Sequence, residues 1–214
     1  MRLIASLFVA WCFCASPATA QLYLLPYAGY TLGAGYDNGA SYLVLDTDDL
    51  DAQGGLTVGL GADFVFLWER LPFALSLRPS VEATLVPGET ADLGGGESLA
   101  FDQRYWQASL VLLGDVPVGG APTVPFLGFG FTYARYSADF DTTPGASVVG
   151  ASSVSAWELA PTVVAGVRYD RGRVSPLFEA RYRFATPEPA FSAERPGADL
   201  DNGFSLVAGA RIAL

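Results

Sequence analysis

Ionisable residues at alternate positions hold what chemistry this chain has. In the stretch PLFEARYRF, Glu179, Arg181 and Arg183 alternate with Phe178, Ala180, Tyr182 and Phe184. In WELAPTVVAGVRY, Glu158, Thr162, Gly166 and Arg168 alternate with Trp157, Leu159, Val163, Ala165, Val167 and Tyr169. A spacing of two puts successive side chains on opposite faces of a strand. The same parity sets Asp63, Arg78, Glu82 and Arg211 against apolar neighbours. Asp63, Arg78, Glu82, Glu158, Arg168, Glu179, Arg181, Arg183 and Arg211 therefore form a charged set on the polar faces, four acids against five bases. Guanidinium forks neutralise carboxylates bidentately, so the set reads as an ion-pair network. Acid–base catalysis is the competing chemistry. It lacks its usual proton carrier, because the chain has no His. No two carboxylates stand out as acid and base. The reading is no enzyme, no cofactor and no metal.

Such charge cannot face a dry core, because burying unpaired ions is too costly. A closed sheet with an apolar outside and a polar inside accommodates it, and that is a membrane β-barrel. Eight segments fit. The first is 22–32, with Pro26 weakening a ladder position. The others are 55–66, 73–85, 104–113, 123–136, 157–169, 174–184 and 203–214. Each clears the ~9–11 residues that a tilted membrane strand needs. Leu56, Val58, Leu60, Phe64 and Phe66 would look outward in the second, with Leu75, Leu77, Val81 and Leu85 in the third. Leu127, Phe129 and Phe131 would do so in the fifth, with Phe204, Leu206 and Ile212 in the eighth. Connections alternate long and short. The long ones, about 33–53, 86–103, 137–154 and 186–202, hold 15 of the 22 acidic residues, with Arg195 as their base. The expected fold is all-β: an eight-stranded antiparallel up-and-down transmembrane β-barrel with short periplasmic turns and long extracellular loops. The interior of so small a barrel is filled by side chains.

Residues 1–20 read as a cleaved signal peptide. Arg2 is its basic end, Leu3 to Cys14 its apolar core, and Ala18-Thr19-Ala20 its cleavage site. Both cysteines, Cys12 and Cys14, fall inside it, so the barrel domain, 21–214, has neither thiol nor disulfide. The formal net charge of −10, with Arg as the sole basic residue type, argues against nucleic acid as a partner.

Other features have plainer readings. Gly59/Gly61 and Gly128/Gly130 form Gly-x-Gly pairs, but they lie inside strands with no helix following, which fails the context of a phosphate loop. Inward glycines read instead as room for long arginines and for curvature. Trp68, Phe73 and Tyr169 gather near the short turns, while Trp106, Tyr133, Trp157, Phe184 and Phe204 gather near the long loops. Two such levels match interfacial aromatic girdles. Asp46, Asp48, Asp49 and Asp51 offer oxygens to a hard cation. Their spacing departs from the EF-hand loop, so they read as a solvated acidic loop.

Three local patterns carry a family resemblance. They are the strand Pro125-Phe126-Leu127-Gly128-Phe129-Gly130, the triplet Tyr182-Arg183-Phe184, and the terminus with Gly209, Ile212 and Leu214. Together with the strand–loop rhythm of 21–214 they resemble the small outer-membrane β-barrel family of Gram-negative bacteria, which includes the OmpA transmembrane domain, OmpX and OmpW. The resemblance implies an outer-membrane location after export across the inner membrane. It implies outer-membrane lipid as surroundings and the barrel-assembly machinery, reading Gly209, Ile212 and Leu214, as a partner in biogenesis. It implies a monomer whose extracellular loop partner is unknown. The role it implies is non-enzymatic: a plugged barrel serving envelope structure or surface interaction. A narrow OmpW-like channel for small or apolar solutes is the alternative. A soluble lipocalin-like carrier would need the inverse arrangement, an apolar lumen and a polar exterior.

Overall fold

The computed structural model describes residues 19–32, 36–38, 54–67, 73–85, 89–94, 97–116, 118–119, 121–142, 153–184, 198–200 and 203–214. For 19–20, 36–38, 67, 89–94, 97–103, 136, 138–142, 153–156 and 198–200, the backbone alone is described. Most of the expected signal peptide, Trp68 and the acidic run Asp46, Asp48, Asp49 and Asp51 lie outside the described residues.

The strands are β1 (Thr19–Leu32), β2 (Tyr36–Asn38), β3 (Gly55–Leu67), β4 (Leu75–Leu85), β5 (Glu89–Gly94), β6 (Glu97–Asp115), β7 (Thr123–Thr142), β8 (Ser153–Tyr169), β9 (Val174–Arg183), β10 (Ala198–Leu200) and β11 (Gly203–Ala213). Eight of them form the wall in the order β4-β3-β1-β11-β9-β8-β7-β6, and pairing of β4 with β6 closes the ring. Every pairing in the ring is antiparallel. Closure leaves none of the eight wall strands as a sheet edge among the described residues, the condition for a strand to lie in hydrocarbon.

Alternation sets which side chains face the lumen. Along β9 the odd-numbered Ser175, Leu177, Glu179, Arg181 and Arg183 are buried. Along β4 the even-numbered Ser76, Arg78, Ser80, Glu82 and Thr84 are buried. The outer faces carry Val81, Leu127, Phe129, Phe131 and Phe178, each at least half exposed. Large apolar groups outside and ions inside is the reverse of a water-soluble protein, and it is the pattern expected from the sequence.

The segments at 86–103 and 137–154, expected to be loops, are partly strand. β5 folds back on β6 with Glu89 opposite Phe101, so β6 begins at Glu97 instead of Arg104. β7 runs to Thr142 and β8 starts at Ser153. The backbone ladder continues past the apolar stretch because strand pairing does not require a lipid face. β2 and β10, from two other long connections, pair separately.

Two prolines interrupt the wall. The β1–β11 register runs through Leu24↔Ile212 and resumes at Tyr27↔Gly209, spanning Pro26. The β3–β4 register runs through Gly61↔Ser80 and resumes at Phe64↔Leu77, spanning Pro79. Proline has no N–H to give a ladder.

Inward glycines accommodate inward rings. Tyr27 lies opposite Gly59 on β3 and Gly209 on β11. A Cβ on Gly209 would stand 2.8 Å from the Tyr27 Cβ, and one on Gly59 would run into the Tyr27 ring. Gly166, opposite Phe126, leaves that ring its space in the same way. The room expected for arginines thus serves aromatics here. In the β8–β9 turn, Gly172 has φ 75°, which suits glycine.

Two outcomes test this arrangement. Protein refolded in lipid should migrate differently in SDS gels before and after boiling, and identical mobility contradicts a closed barrel. Phe129→Arg, on the outer wall, should lower stability in a bilayer by about 2 to 4 kcal/mol if it lies near the midplane. A denaturant titration showing no loss would remove Phe129 from the lipid.

Candidate functional site

β4 and β9 stand diametrically opposite, four strands apart whichever way the eight-membered ring is followed. Each presents an inward acid and an inward base. β4 supplies Arg78 and Glu82, and β9 supplies Glu179 and Arg181. Their order lets both pairs form across the lumen. Arg78 Nη1 donates to Glu179 Oε2, and Arg181 Nη1 donates to Glu82 Oε2 at 2.5 Å. Arg181 Nε also donates to Glu179 Oε1.

Further contacts extend these pairs into an alternating column. Arg78 donates to both oxygens of Asp63, at 2.5 and 2.9 Å. Arg211 Nε lies 3.2 Å from Asp63 Oδ2. At the other end, Gln107 donates to Glu82 Oε1 at 2.7 Å. Tyr27 donates its hydroxyl hydrogen to Glu82 Oε2 and accepts from Arg181. The order is Arg211, Asp63, Arg78, Glu179, Arg181, Glu82: three bases and three acids, all buried. Rings lie beside the three bases, Phe126 at 5.5 Å from the Arg78 guanidinium, Tyr27 at 4.3 Å from that of Arg181 and Tyr23 at 3.8 Å from that of Arg211. A guanidinium near a π face gains electrostatically, more so when desolvated.

Two outlying groups sit at the ends. Arg168 reaches Asp115 at 2.9 Å and Asp170 at 2.5 Å near the short turns. Burial alone would raise the Asp170 carboxyl pKa, but the hydrogen bond and charge of Arg168 outweigh it and lower the value. Toward the long loops, Arg183 donates to Glu158 at 2.7 Å. Hydroxyl runs line the wall between. Thr31 meets Thr57 at 2.6 Å and Ser205 at 2.9 Å, Thr57 meets Thr84 at 2.8 Å, and Thr132 meets Ser109 at 2.8 Å and Thr162 at 2.7 Å.

The nine charges read from the sequence all point inward, and six of them make the column. Arg168 joins the turn-side cluster, and Arg183 with Glu158 forms the loop-side pair. Among the aromatics, Phe73, two residues before β4, and Tyr169, at the short-turn end of β8, are exposed. Trp106, Tyr133 and Trp157 form a contiguous group, with ring centroids 5.3 and 5.7 Å apart. Phe184 packs edge-on against Tyr182, and Phe204 lies opposite Tyr182 in the ladder. On β11, Gly209 backs Tyr27 and Ile212 is half-buried, and Leu214, just past the strand, is exposed.

Sequence reasoning missed Tyr27, Gln107, Asp115 and Asp170 as partners. Gly59 and Gly209 were the available signal for Tyr27, two small residues opposite one ring. It also missed two apolar clusters in the lumen, Leu25, Tyr27, Leu177 and Val207, and Val111, Leu113, Phe126 and Val164. The interior is therefore a charged column set between greasy patches rather than polar throughout. Two cavities lie beside the column among the described residues, each of about 10 Å³. That is room for about one water.

Each column carboxylate is held by at least one guanidinium, so this arrangement ties walls together. Removing one member of a buried pair strands its partner, at a cost of about 3 to 5 kcal/mol. Arg181→Ala should therefore lower the unfolding midpoint far more than Ala180→Val, which alters the opposite face of the same strand. Equal losses would show that Arg181 contributes packing alone. A double-mutant cycle on Arg78 and Glu179 should return a coupling of about 1 to 3 kcal/mol.

No protein-family model matches this chain, and no curated protein matches it in sequence. Among solved structures it is similar to Neisserial surface protein A, with 14% identity, 91% of this chain and 99% of that one covered, and a TM-score of 0.55. It is also similar to a major outer membrane protein from Thermus thermophilus, with 16% identity, coverage of 90% and 99%, and a TM-score of 0.50. At such identities the likeness is one of architecture, and it agrees with the closed ring, the apolar wall and the ionised lumen. The chain has the fold of the small outer-membrane β-barrels.

Proposed function

We propose that the protein is a non-enzymatic outer-membrane barrel whose lumen is plugged, and that it serves envelope structure or surface interaction through its acidic long loops. One observation carries the plug: the ion pairs between β4 and β9 cross the lumen, and the cavities beside them hold about one water each. Nothing larger than water fits between those side chains without breaking charge-assisted hydrogen bonds.

The exterior supports the location. Apolar side chains cover the outer wall, and hydrocarbon is the solvent that makes such a surface favourable. Residues 1–20 have the pattern of an export signal, and β1–β11 pairing starts at Tyr23, downstream of the Ala18-Thr19-Ala20 site. Cleavage there leaves that pairing whole and removes the Thr19↔Leu67 and Ala20↔Phe66 end of the β1–β3 ladder. In this reading outer-membrane lipid surrounds a monomer, the barrel-assembly machinery folds it using Gly209, Ile212 and Leu214, and the long loops face outward. The absence of His removes the usual general base, in keeping with a role outside catalysis.

A narrow conduit is the second reading, and one feature favours it. The two cavities share Arg181, Ser109 and Thr162 in their linings. Rotation of Arg181 away from Glu82 would join them.

Planar-bilayer recording separates the two. The plug predicts no steady single-channel steps from the refolded wild-type chain, with Arg181→Ala raising the frequency of openings. Reproducible steps from the wild type would overturn the plug and establish the conduit.

A further inference from the structure

Where side chains are described, the outer wall is almost free of charge. Among the wall-strand residues whose side chains are described, two charged ones face outward: Arg104 on β6 and Arg135 on β7, both exposed. They are not scattered. Arg104 lies opposite Ser137, and Arg135 lies opposite Trp106. That makes the two arginines diagonal neighbours on adjacent strands, about 7 to 8 Å apart at the backbone. On its other side Arg135 lies opposite Trp157. It is thus bracketed by two indoles, with Tyr133 in ring contact with both. Among the residues whose side chains are described, no carboxylate pairs with Arg135.

The height of this group follows from the strand. Trp157 and Tyr169 face outward on β8, twelve residues apart. At about 3.3 Å per residue and a tilt of about 40°, they are separated by about 30 Å along the barrel axis. An apolar band of about 25 Å fits between them. Arg135, level with Trp157, therefore sits at the long-loop edge of the hydrocarbon. A guanidinium costs about 2 to 4 kcal/mol at the bilayer midplane but about 0 to 1 near the interface. Placed there, it meets headgroups, and its planar fork matches phosphate oxygens.

We propose that Arg135 binds the phosphate of an anionic lipid headgroup in the leaflet on the long-loop side, between the flanking rings of Trp106 and Trp157. The proposal rests on the membrane reading above. The loops beyond are rich in acid and would repel such a headgroup. Arg135, bracketed by the two indoles, gives it a fixed place on the wall.

Native mass spectrometry of the full refolded chain, in micelles containing equal amounts of dioleoyl phosphatidic acid and dioleoyl phosphatidylcholine, tests this. The wild type should retain phosphatidic acid preferentially, and millimolar inorganic phosphate should not displace it. Arg135→Gln should reduce that preference by about tenfold. Arg135→Lys, which keeps the charge without the fork, should fall between. Arg171→Gln, an exposed change in a short turn, should behave as wild type. Undiminished preference in Arg135→Gln, equal retention of both lipids by the wild type, or displacement by inorganic phosphate would overturn the site. Loss of the boiling-dependent gel shift in the wild type would instead overturn the membrane reading itself.

Discussion

Ion pairing across the full width of the barrel is the constraint that shapes the rest. Lipid requires an apolar exterior, and strand alternation then sends every second side chain inward. Ions in that narrow space are tolerable only when paired, because the desolvation of each is large. Eight strands bring opposite walls within reach of an extended arginine. Arg78 and Arg181 make that reach from β4 and β9 to Glu179 and Glu82. A wider ring would put water between these groups, and a lumen without charge would need apolar volume in their place.

The interruptions in the ladder fall where side chains take over. Asp63 faces Arg78 at the gap left by Pro79, and their bidentate contact joins β3 to β4 there. Arg211 falls at the Pro26 gap between β1 and β11, and reaches across to Asp63. The column therefore secures neighbouring strands as well as opposite ones.

Alternation made most of the fold legible, because acids and bases cannot be mistaken for lipid-facing groups. The facing of β4 and β9 could be read directly for that reason. Where both faces are apolar the signal fades. Leu110 to Leu113 and Val163-Val164 carry no polar marker, so nothing singled out Val111, Leu113 and Val164 as a cluster in the lumen. Pro26 obscured the parity of β1 and with it the role of Tyr27. Asp115 and Asp170 sit at strand ends, where composition reads as turn, and their tie to Arg168 depends on a distance that sequence spacing does not encode. The extension of β6 and β7 beyond the apolar stretch was hidden because those residues lack the hydrophobic alternation used to find strands.

The transverse pairs also bear on how the cylinder comes to exist. Their members are 101 and 99 residues apart in the chain. Arg78 and Glu82 are made early, and nothing on β1, β3 or β6 offers a complete set of countercharges for them. A half-built wall lacking β9 would leave Glu82 without a guanidinium and Arg78 with Asp63 as its one carboxylate partner. Neutralisation and ring closure are thereby coupled into one late, long-range event, and the partly assembled cylinder has no comfortable resting state short of completion.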